Sequence, residues 1–151
     1  MSDIDNSPSI SPYITVKDAA AAIEFYCSAL GAEEDFRLCD PADGRIGHAQ
    51  LNFGTSTLMI SDEYPDFGAL GPITFGGSPV KLHLTVEDVN SVFAKALELG
   101  AVELRPVHDE FYGSRSGMLT DPFGHTWHIE TQIEHVPAEE MQNRWDSAGS
   151  D

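Results

Sequence analysis

Apolar and polar positions along this chain of 151 residues fall into two blocks with the same arrangement. In each block a short stretch rich in β-branched residues leads into a segment whose apolar residues recur every three or four positions. This spacing runs from Ala19 to Leu30 and again from Val89 to Leu97, and it predicts two amphipathic helices. Three shorter extended stretches follow each helix, so each block predicts the order β-α-β-β-β.

The ends of both predicted helices carry matching signals. Asp18 and Asp88 stand at the two helix starts, where a carboxylate accepts hydrogen bonds from free backbone N–H groups. Gly31 and Gly100 follow the last apolar residues, where a helix commonly ends in a left-handed residue. The remaining strands are predicted at about 33–38, 46–53 and 57–61 in the first block and 102–107, 115–120 and 126–132 in the second.

The two blocks are copies of one unit, because a shift of 70 residues keeps many positions in register. The matched pairs include Ile14 with Leu84, Thr15 with Thr85, Val16 with Val86, Gly47 with Gly117, and Phe53-Gly54 with Phe123-Gly124. Two copies are too few for a solenoid. We therefore predict an α+β fold in which two tandem βαβββ modules form an open, cup-shaped mixed sheet with the helices on its outer face.

The predicted organisation is a single domain over residues 1–151. The modules cover about 9–62 and 80–132, with a linker at 63–79 and a C-terminal tail at 133–151 that contains a short helix starting near Pro137. The linker is rich in Gly and Pro and holds Tyr64, Phe67 and Phe75, which either cover the mouth of the cup or belong to a plain connection.

The charge of the chain limits the kinds of molecule that it is expected to bind. The net charge of −17, from 25 acidic against 8 basic residues, argues against nucleic acid or an anionic membrane surface and is compatible with a cationic ligand. No apolar run reaches 18 residues, and the polar start MSDIDNSPS does not resemble a signal peptide. Cys27 and Cys39 form no CxxC pair. We expect a cytoplasmic protein.

Several short motifs stand in a fixed order along the modules. They are Gly47-His48-Ala49-Gln50-Leu51, Leu58-Met59-Ile60-Ser61-Asp62-Glu63, Phe111-Tyr112-Gly113, Asp121-Pro122-Phe123-Gly124-His125-Thr126-Trp127 and His135-Val136-Pro137-Ala138-Glu139-Glu140. With the paired βαβββ unit, they resemble the vicinal oxygen chelate superfamily, which includes glyoxalase I, bleomycin-resistance proteins and extradiol dioxygenases. The resemblance is closest to the PhnB-type, glyoxalase-like subgroup.

The resemblance implies a divalent metal in the cup, held by the first and last strands of each module. The corresponding positions are Ser11, Leu58, Lys81 and His128. Only His128 offers a suitable donor, because leucine cannot bind a metal, a charged lysine repels one and serine is a poor ligand. No cofactor is therefore assigned, although a divalent metal stays compatible with the family.

A displaced metal site is the alternative. The alternation of side chains along a strand places His83 with Lys81, and Glu130 with His128, on one face of the second module. His83, His128 and Glu130 would then form a two-histidine, one-carboxylate ligand set. The competing interpretations are a hydrogen-bonded polar patch without metal, or a strand whose faces are shifted by one residue.

The remaining candidate residues concern acid–base chemistry and substrate binding. His48, His83 and His128 are candidate catalytic residues, because an imidazole suits proton transfer near neutral pH. Tyr112 and Arg115, before the seventh strand, and Lys81 are candidate substrate-binding residues; Arg115 could instead form a surface ion pair. His125 is assigned to local turn chemistry, and Trp127 is expected to point away from His128 into helix packing.

Three functional hypotheses follow for this glyoxalase-like protein, which we expect to be a homodimer that binds or acts on a small molecule. The first is a metal-dependent lyase, isomerase or dioxygenase. The second is a metal-free drug-binding protein of the bleomycin-resistance type, and the third is a metal-free acid–base enzyme. The sequence leaves open whether the modules pair within one chain or are swapped between subunits.

Overall fold

The computed structural model describes residues 4–148, so the outer ends of the predicted domain lie outside the described residues. The first module contains β1 (Tyr13–Val16), α1 (Ala19–Leu30), β2 (Glu33–Cys39), β3 (Ile46–Phe53) and β4 (Ser56–Asp62). The linker forms a 3₁₀ turn (Pro65–Phe67) and the short helix α2 (Pro72–Phe75). The second module contains β5 (Lys81–Thr85), α3 (Val89–Glu98), β6 (Val102–Asp109), β7 (Ser114–Thr120) and β8 (Thr126–Gln132), and α4 (Ala138–Ala148) follows.

The strands form two open four-stranded sheets with the orders β1-β4-β3-β2 and β5-β8-β7-β6. β1 runs parallel to β4 and β5 runs parallel to β8, whereas the other pairs are antiparallel. The predicted α+β class with tandem βαβββ modules is confirmed. β1 and β5 are edge strands of their own sheets, so each leaves one row of backbone groups unpaired within its sheet.

Both long helices begin as the sequence predicts. Asp18 Oδ1 accepts a 3.1 Å hydrogen bond from the backbone N–H of Ala21, and Asp88 Oδ1 accepts one of 3.3 Å from Ser91. α1 ends before Gly31, whose φ of 79° is left-handed and free of strain only for glycine.

A second repeated contact ties each helix to the last strand of its module. The side chain of Asp62 in β4 accepts a 2.7 Å hydrogen bond from the backbone N–H of Ala19, the first residue of α1. Thr131 Oγ1 in β8 accepts one of 2.8 Å from Val89, the first residue of α3. The two modules thus use the same position with different side chains, and for this reason the sequence repeat does not reveal the contact.

The modules share one hydrophobic core, because a single cluster of buried side chains includes residues from both sheets and both long helices. Tyr26 of α1 is fully buried, and its ring centre lies 5.3 Å from that of Trp127 in β8. Trp127 is 3% exposed and lies on the side of the sheet away from His128, as predicted. α1 therefore packs against the sheet of the other module as well as its own.

The structural repeat does not keep the 70-residue shift along the later strands. Leu58 pairs with Leu51, and both are buried in the core. Their counterparts in the second module are Trp127 for Leu58 and Leu119 for Leu51. These two residues also pair with each other, on the core side of the second sheet. Leu58 therefore faces the core, and the prediction that it occupies a cup-facing ligand position is wrong. Met59 is the structural counterpart of His128.

The same correction applies one strand earlier. Gly117 pairs with Ile129, and Ala49 pairs with Ile60, so Gly117 corresponds to Ala49 and not to Gly47. The connections between strands differ in length between the modules, which changes the offset without changing the pairing. Within residues 4–148, no helix is long and apolar enough to cross a membrane.

Candidate functional site

The candidate site lies on the open face of the second sheet, which we define as the face carrying His83, His128, Glu130, Ser116 and Arg105. Buried side chains, including Trp127, occupy the opposite face, against the helices. One row across this open face runs His83, His128, Met118, Arg105, since each of these residues is the cross-strand partner of the next.

The next row of the open face places a carboxylate close to His83. Glu130 pairs across the strands with Ser116, and its Oε1 lies 2.9 Å from Nε2 of His83. The side chain of His83 is 49% exposed and that of Glu130 only 15% exposed. The ring centre of His128 is 5.0 Å from that of His83, at an interplanar angle of 79°. The predicted group of His83, His128 and Glu130 is therefore assembled on one face.

Tyr112, from the loop before β7, also reaches this group. Its hydroxyl lies 3.5 Å from Nε2 of His128. Burial lowers the pKa of His128, and the neighbouring His83 lowers it further. Burial also raises the pKa of Tyr112, with a smaller contribution in the same direction from the charge on Glu110. At neutral pH the phenol therefore keeps its proton and the imidazole of His128 is uncharged.

A nearly buried carboxylate, Glu110, extends the site and is missing from the sequence-based candidates. Its side chain is 7% exposed, and its Oε1 accepts hydrogen bonds from Arg105 at 2.6 Å and from Ser116 at 2.9 Å. Nε2 of His108 lies 3.0 Å away. No spacing in the sequence links these residues, because β6 is irregular at this point and shifts register between Arg105 and His108.

The predicted substrate-binding residues do not all lie in this site. Lys81 is on the same face of β5 as His83, two residues earlier, as predicted. Arg115 pairs across the strands with Thr131, and its guanidinium binds Asp109 at 2.7 Å. Because side chains alternate along β7, Arg115 points away from the face that carries Ser116. Of the two alternatives predicted for Arg115, the surface ion pair is observed, and a role in substrate binding stays a prediction.

His48 lies on the first sheet, in a separate aromatic group. Its Nδ1 is 2.9 Å from the hydroxyl of Tyr13, and its Nε2 is 3.3 Å from Oε1 of Gln50. The rings of Tyr13 and Phe36 are centred 5.4 and 5.7 Å from the His48 ring. Within the described part of the chain no contact joins this group to His83 or His128.

The ring of His125 does more than the local turn chemistry assigned from the sequence. Its backbone N–H donates to Oδ1 of Asp121 within the turn, at 3.0 Å. Its Nε2 lies 3.2 Å from the backbone oxygen of Thr15, in β1 of the other module. His125 therefore contributes to the contact between the two modules.

The side chains offer a poor fit to the metal that the family implies. Of the family positions, Ser11 precedes β1 and Lys81 carries a positive charge, while Met59, which takes the place of Leu58, offers only a thioether sulfur. Among residues 4–148 no three His, Cys, Asp or Glu side chains are grouped so that they could hold a metal ion. Although His83, His128 and Glu130 lie together, their arrangement is that of a polar cluster.

Cavities follow the unpaired edges of β1 and β5. His83 and Lys81 line a cavity of about 420 Å³, together with Pro12 just before β1. A second cavity, of about 670 Å³, is lined by Tyr13, by His125 and by Phe75 of the linker. Phe75 thus lies beside one of these cavities, whereas Phe67 is 86% exposed.

The fold and the site define a protein of two βαβββ modules that presents a polar sheet face next to cavities of small-molecule size. The family model described as the glyoxalase/bleomycin resistance protein/dioxygenase superfamily matches residues 9–129, and the chain belongs to this family. An uncharacterised protein of Mycobacterium bovis, Mb0911c, is 38% identical over 149 residues, which cover 97% of each chain.

Solved structures share the fold. Protein PA1353 of Pseudomonas aeruginosa has a TM-score of 0.71 and 27% identity, over 85% of this chain and all of that one. A PhnB protein of Bacillus cereus has a TM-score of 0.65 and 20% identity, over 82% of this chain and 99% of that one. The relatedness to PhnB-like proteins expected from the sequence is confirmed at the level of the fold.

Proposed function

We propose that this protein binds a small molecule with an anionic oxygen on the open face of the second sheet and exchanges a proton with it through His83 and His128. The observation that carries this proposal is the half-exposed imidazole of His83, whose Nε2 is 2.9 Å from the largely buried Glu130. A carboxylate behind an imidazole orients the ring and stabilises the imidazolium that forms when the ring takes up a proton.

His128 supports this role from the next strand. Because its pKa is lowered, the ring is uncharged at neutral pH and can accept a proton or a hydrogen bond. The hydroxyl of Tyr112, 3.5 Å from Nε2 of His128, supplies a neutral donor at the same place. The face thus combines a carboxylate-backed imidazole, a neutral imidazole and a phenol within one small area.

The charge of the open face favours an anionic ligand. Lys81 and Arg105 balance the carboxylates of Glu110 and Glu130 on this face, whereas the whole chain carries a net charge of −17. An anion therefore meets less repulsion here than over most of the surface. The ligand would enter along the edge of β5, where His83 and Lys81 line the 420 Å³ cavity.

Proton exchange in D₂O tests this proposal directly. We would incubate the protein with a panel of 2-oxo and 2-hydroxy carboxylates and follow by ¹H NMR the C3 protons of the 2-oxo acids and the C2 proton of the 2-hydroxy acids. Exchange by the wild type that falls about 100-fold or more in H83Q would support the proposal, since acid–base groups commonly contribute 10²–10⁴-fold. H135Q, in an exposed histidine of the tail, is the matched control.

Two outcomes would overturn this proposal. One is a wild-type protein that neither binds nor exchanges any member of the panel. The other is a panel member that binds wild type and H83Q equally and exchanges at the same rate with both, because the chemistry would then lie elsewhere.

The aromatic group of the first sheet supports a second candidate, a drug-binding protein of the bleomycin-resistance type. Tyr13 and Phe36 are 52% and 40% exposed and flank His48. Such rings suit a flat, cationic ligand in an acidic protein. Calorimetric titration with bleomycin distinguishes the candidates: tight binding that is lost in F36A and retained in H83Q would favour this second function.

We further propose that the protein is a cytoplasmic homodimer. Exposed apolar side chains near the two edge strands, among them Ile10, Phe75 and Val80, support a partner subunit on this side. The two free cysteines, Cys27 and Cys39, are compatible with a reducing compartment. Light scattering coupled to size-exclusion chromatography tests the dimer, and a monomer at micromolar concentration would contradict it.

A further inference from the structure

The segment that follows β8 runs back beside the second sheet and forms hydrogen bonds with the loop that carries Tyr112. We call residues Glu110–Gly113 the Tyr112 loop. The backbone N–H groups of Ile133 and Glu134 both donate to the backbone oxygen of Gly113, at 2.9 and 3.0 Å. A Cβ at Gly113 would lie only 2.5 Å from the backbone oxygen of Glu134. The backbone of this loop therefore packs directly against the backbone of the segment that follows β8.

The side chain of Arg144, in helix α4, also binds the Tyr112 loop, and we call its contacts the clamp. One terminal guanidinium nitrogen of Arg144 donates to the backbone oxygen of Phe111 at 2.9 Å and to the carboxylate of Glu134 at 2.7 Å. The Nε of Arg144 donates to Glu140, one helical turn earlier, at 3.2 Å. Arg144 thus connects α4, the returning chain and the Tyr112 loop with three hydrogen bonds.

An aromatic contact completes the clamp. The ring of Trp145 in α4 lies 5.6 Å from the ring of Phe111, centre to centre. The Phe111 ring in turn packs edge-on against Tyr112, at 5.2 Å and an interplanar angle of 87°. Edge-to-face geometry of this kind restricts the orientation of both rings. A continuous series of contacts therefore leads from Trp145 in α4 through Phe111 to Tyr112, whose hydroxyl lies 3.5 Å from His128.

We propose that α4 is a structural part of the site and that Arg144 is a positioning residue, which holds Tyr112 beside His128. The proposal rests on the proposed function only for the role of His128 in chemistry. The coupling itself is a property of the ligand-free protein. The hydroxyl of Tyr112 lies 3.5 Å from Nε2 of His128. Releasing Phe111 would let the loop move away and admit water to that ring.

Among residues 4–148, five titratable or charged groups face His128. They are Tyr112 from the loop, His83 from β5, Glu130 from β8, Glu110 from the loop and Arg105 from β6. Only Tyr112 and Glu110 belong to the segment that Arg144 holds. Arg144 itself is not among these groups, so a change in the titration of His128 caused by a substitution at Arg144 reports movement of the Tyr112 loop.

The experiment measures the titration of His128 in full-length protein by ¹H–¹⁵N NMR of the imidazole nitrogens. R144A and Y112A should each raise the pKa of His128 towards the ordinary histidine value, because both admit water to the ring. The charge of Glu110 stays in place in both variants, since its carboxylate is bound to Arg105 and Ser116 on the sheet. The double variant should show no further rise, since the two residues act in one chain of contacts. R144K, which keeps one cationic donor for the Phe111 oxygen, should restore most of the wild-type titration.

R37A is the matched control. Arg37 binds Glu34 on the first sheet, and its side chain is 36% exposed, against 35% for Arg144. This variant should leave the titration of His128 unchanged. Should R144A fail to fold, R144Q keeps a neutral side chain of similar length and replaces it in the same comparison.

Two results would overturn the proposal. If Y112A raises the pKa of His128 and R144A and R144Q do not, Arg144 does not position the loop. If neither Y112A nor R144A changes the titration, Tyr112 does not cover His128 at all. The proposed function fails on different evidence, namely the absence of ligand binding or proton exchange that depends on His83.

Discussion

The hydroxyl of Tyr26 donates a 2.5 Å hydrogen bond to Oδ2 of Asp121, which joins the first helix of one module to the last turn of the other. Trp127 Nε1 donates to the same oxygen at 2.8 Å, and the backbone N–H of Phe123 donates to Oδ1 at 2.8 Å. Burial, together with the negative charge of Asp121, raises the pKa of Tyr26 well above its usual value, so the phenol stays a donor.

This relationship predicts that Y26F destabilises the fold through the contact between modules. We expect a loss of about 2 kcal/mol in the free energy of unfolding, because the bond is buried and its acceptor is charged. Urea unfolding measures it. Y64F is the matched control, since the Tyr64 hydroxyl donates to Asp40 at 3.1 Å in a less buried place. Equal losses in the two variants would contradict the special role of Tyr26.

The repeated contact at the helix starts predicts unequal costs in the two modules. D62A leaves the backbone N–H groups of both Ala19 and Ile46 without their buried acceptor, so we expect a loss of about 2–4 kcal/mol. T131V removes the acceptor of one N–H group, that of Val89, and should cost about 1–2 kcal/mol. Chemical denaturation of both variants gives the order, and the reverse order would show that the structural repeat is not an energetic one.

The titration of His128 predicts a dependence of stability on pH. Because the pKa of His128 is lowered in the folded protein, the unfolded chain takes up the proton more readily. Stability should therefore fall as the pH decreases from about 6.5, the ordinary histidine value, through the lowered pKa. H128Q should show a flatter curve over this window. Denaturation between pH 5 and 8 measures it, with H135Q as control, and an unchanged slope in H128Q would refute the prediction.

Gly113 predicts a steric limit on the Tyr112 loop. Its φ is +99°, and an added Cβ would lie 2.5 Å from the Glu134 oxygen and 2.9 Å from Val136 Cγ2. G113A should lose about 2–4 kcal/mol, from backbone strain and overlap together. G31A is the matched control, because Gly31 has a φ of +79° but nothing within 4 Å, so that only strain of about 1–2 kcal/mol applies. Thermal unfolding compares the two, and equal losses would show that the overlap relaxes freely.

The sequence predicted the fold well where local pattern and backbone chemistry decide it. The helix stripes, the capping Asp18 and Asp88, and the terminal Gly31 are local features, and the observed helices begin and end where these residues stand. The alternation in β5 and β8 also predicted correctly that His83, His128 and Glu130 share a face. These features need no knowledge of distant contacts.

The errors occur where the register between strands matters. Leu58 was expected on the open face and lies in the core, since the strand connections of the two modules differ in length and shift the repeat by a residue. The same physics applies to Arg115, which lies on the opposite face of β7 from Ser116 because one residue along a strand reverses the side, and which binds Asp109 there. The sequence did not predict a role for Glu110 or Arg144. Their partners, Arg105 and Phe111, come close to them only in the folded chain.

The sequence by itself therefore determined the two βαβββ modules, their helix ends and the family, because these depend on periodicity and on residues close along the chain. Only the tertiary structure decided that Glu130 lies beside His83, that Glu110 binds Arg105 and that Arg144 of α4 binds the backbone oxygen of Phe111. The physical reason is that pairing register and the packing of connections set which side chains meet, and neither is encoded in the spacing of any one segment.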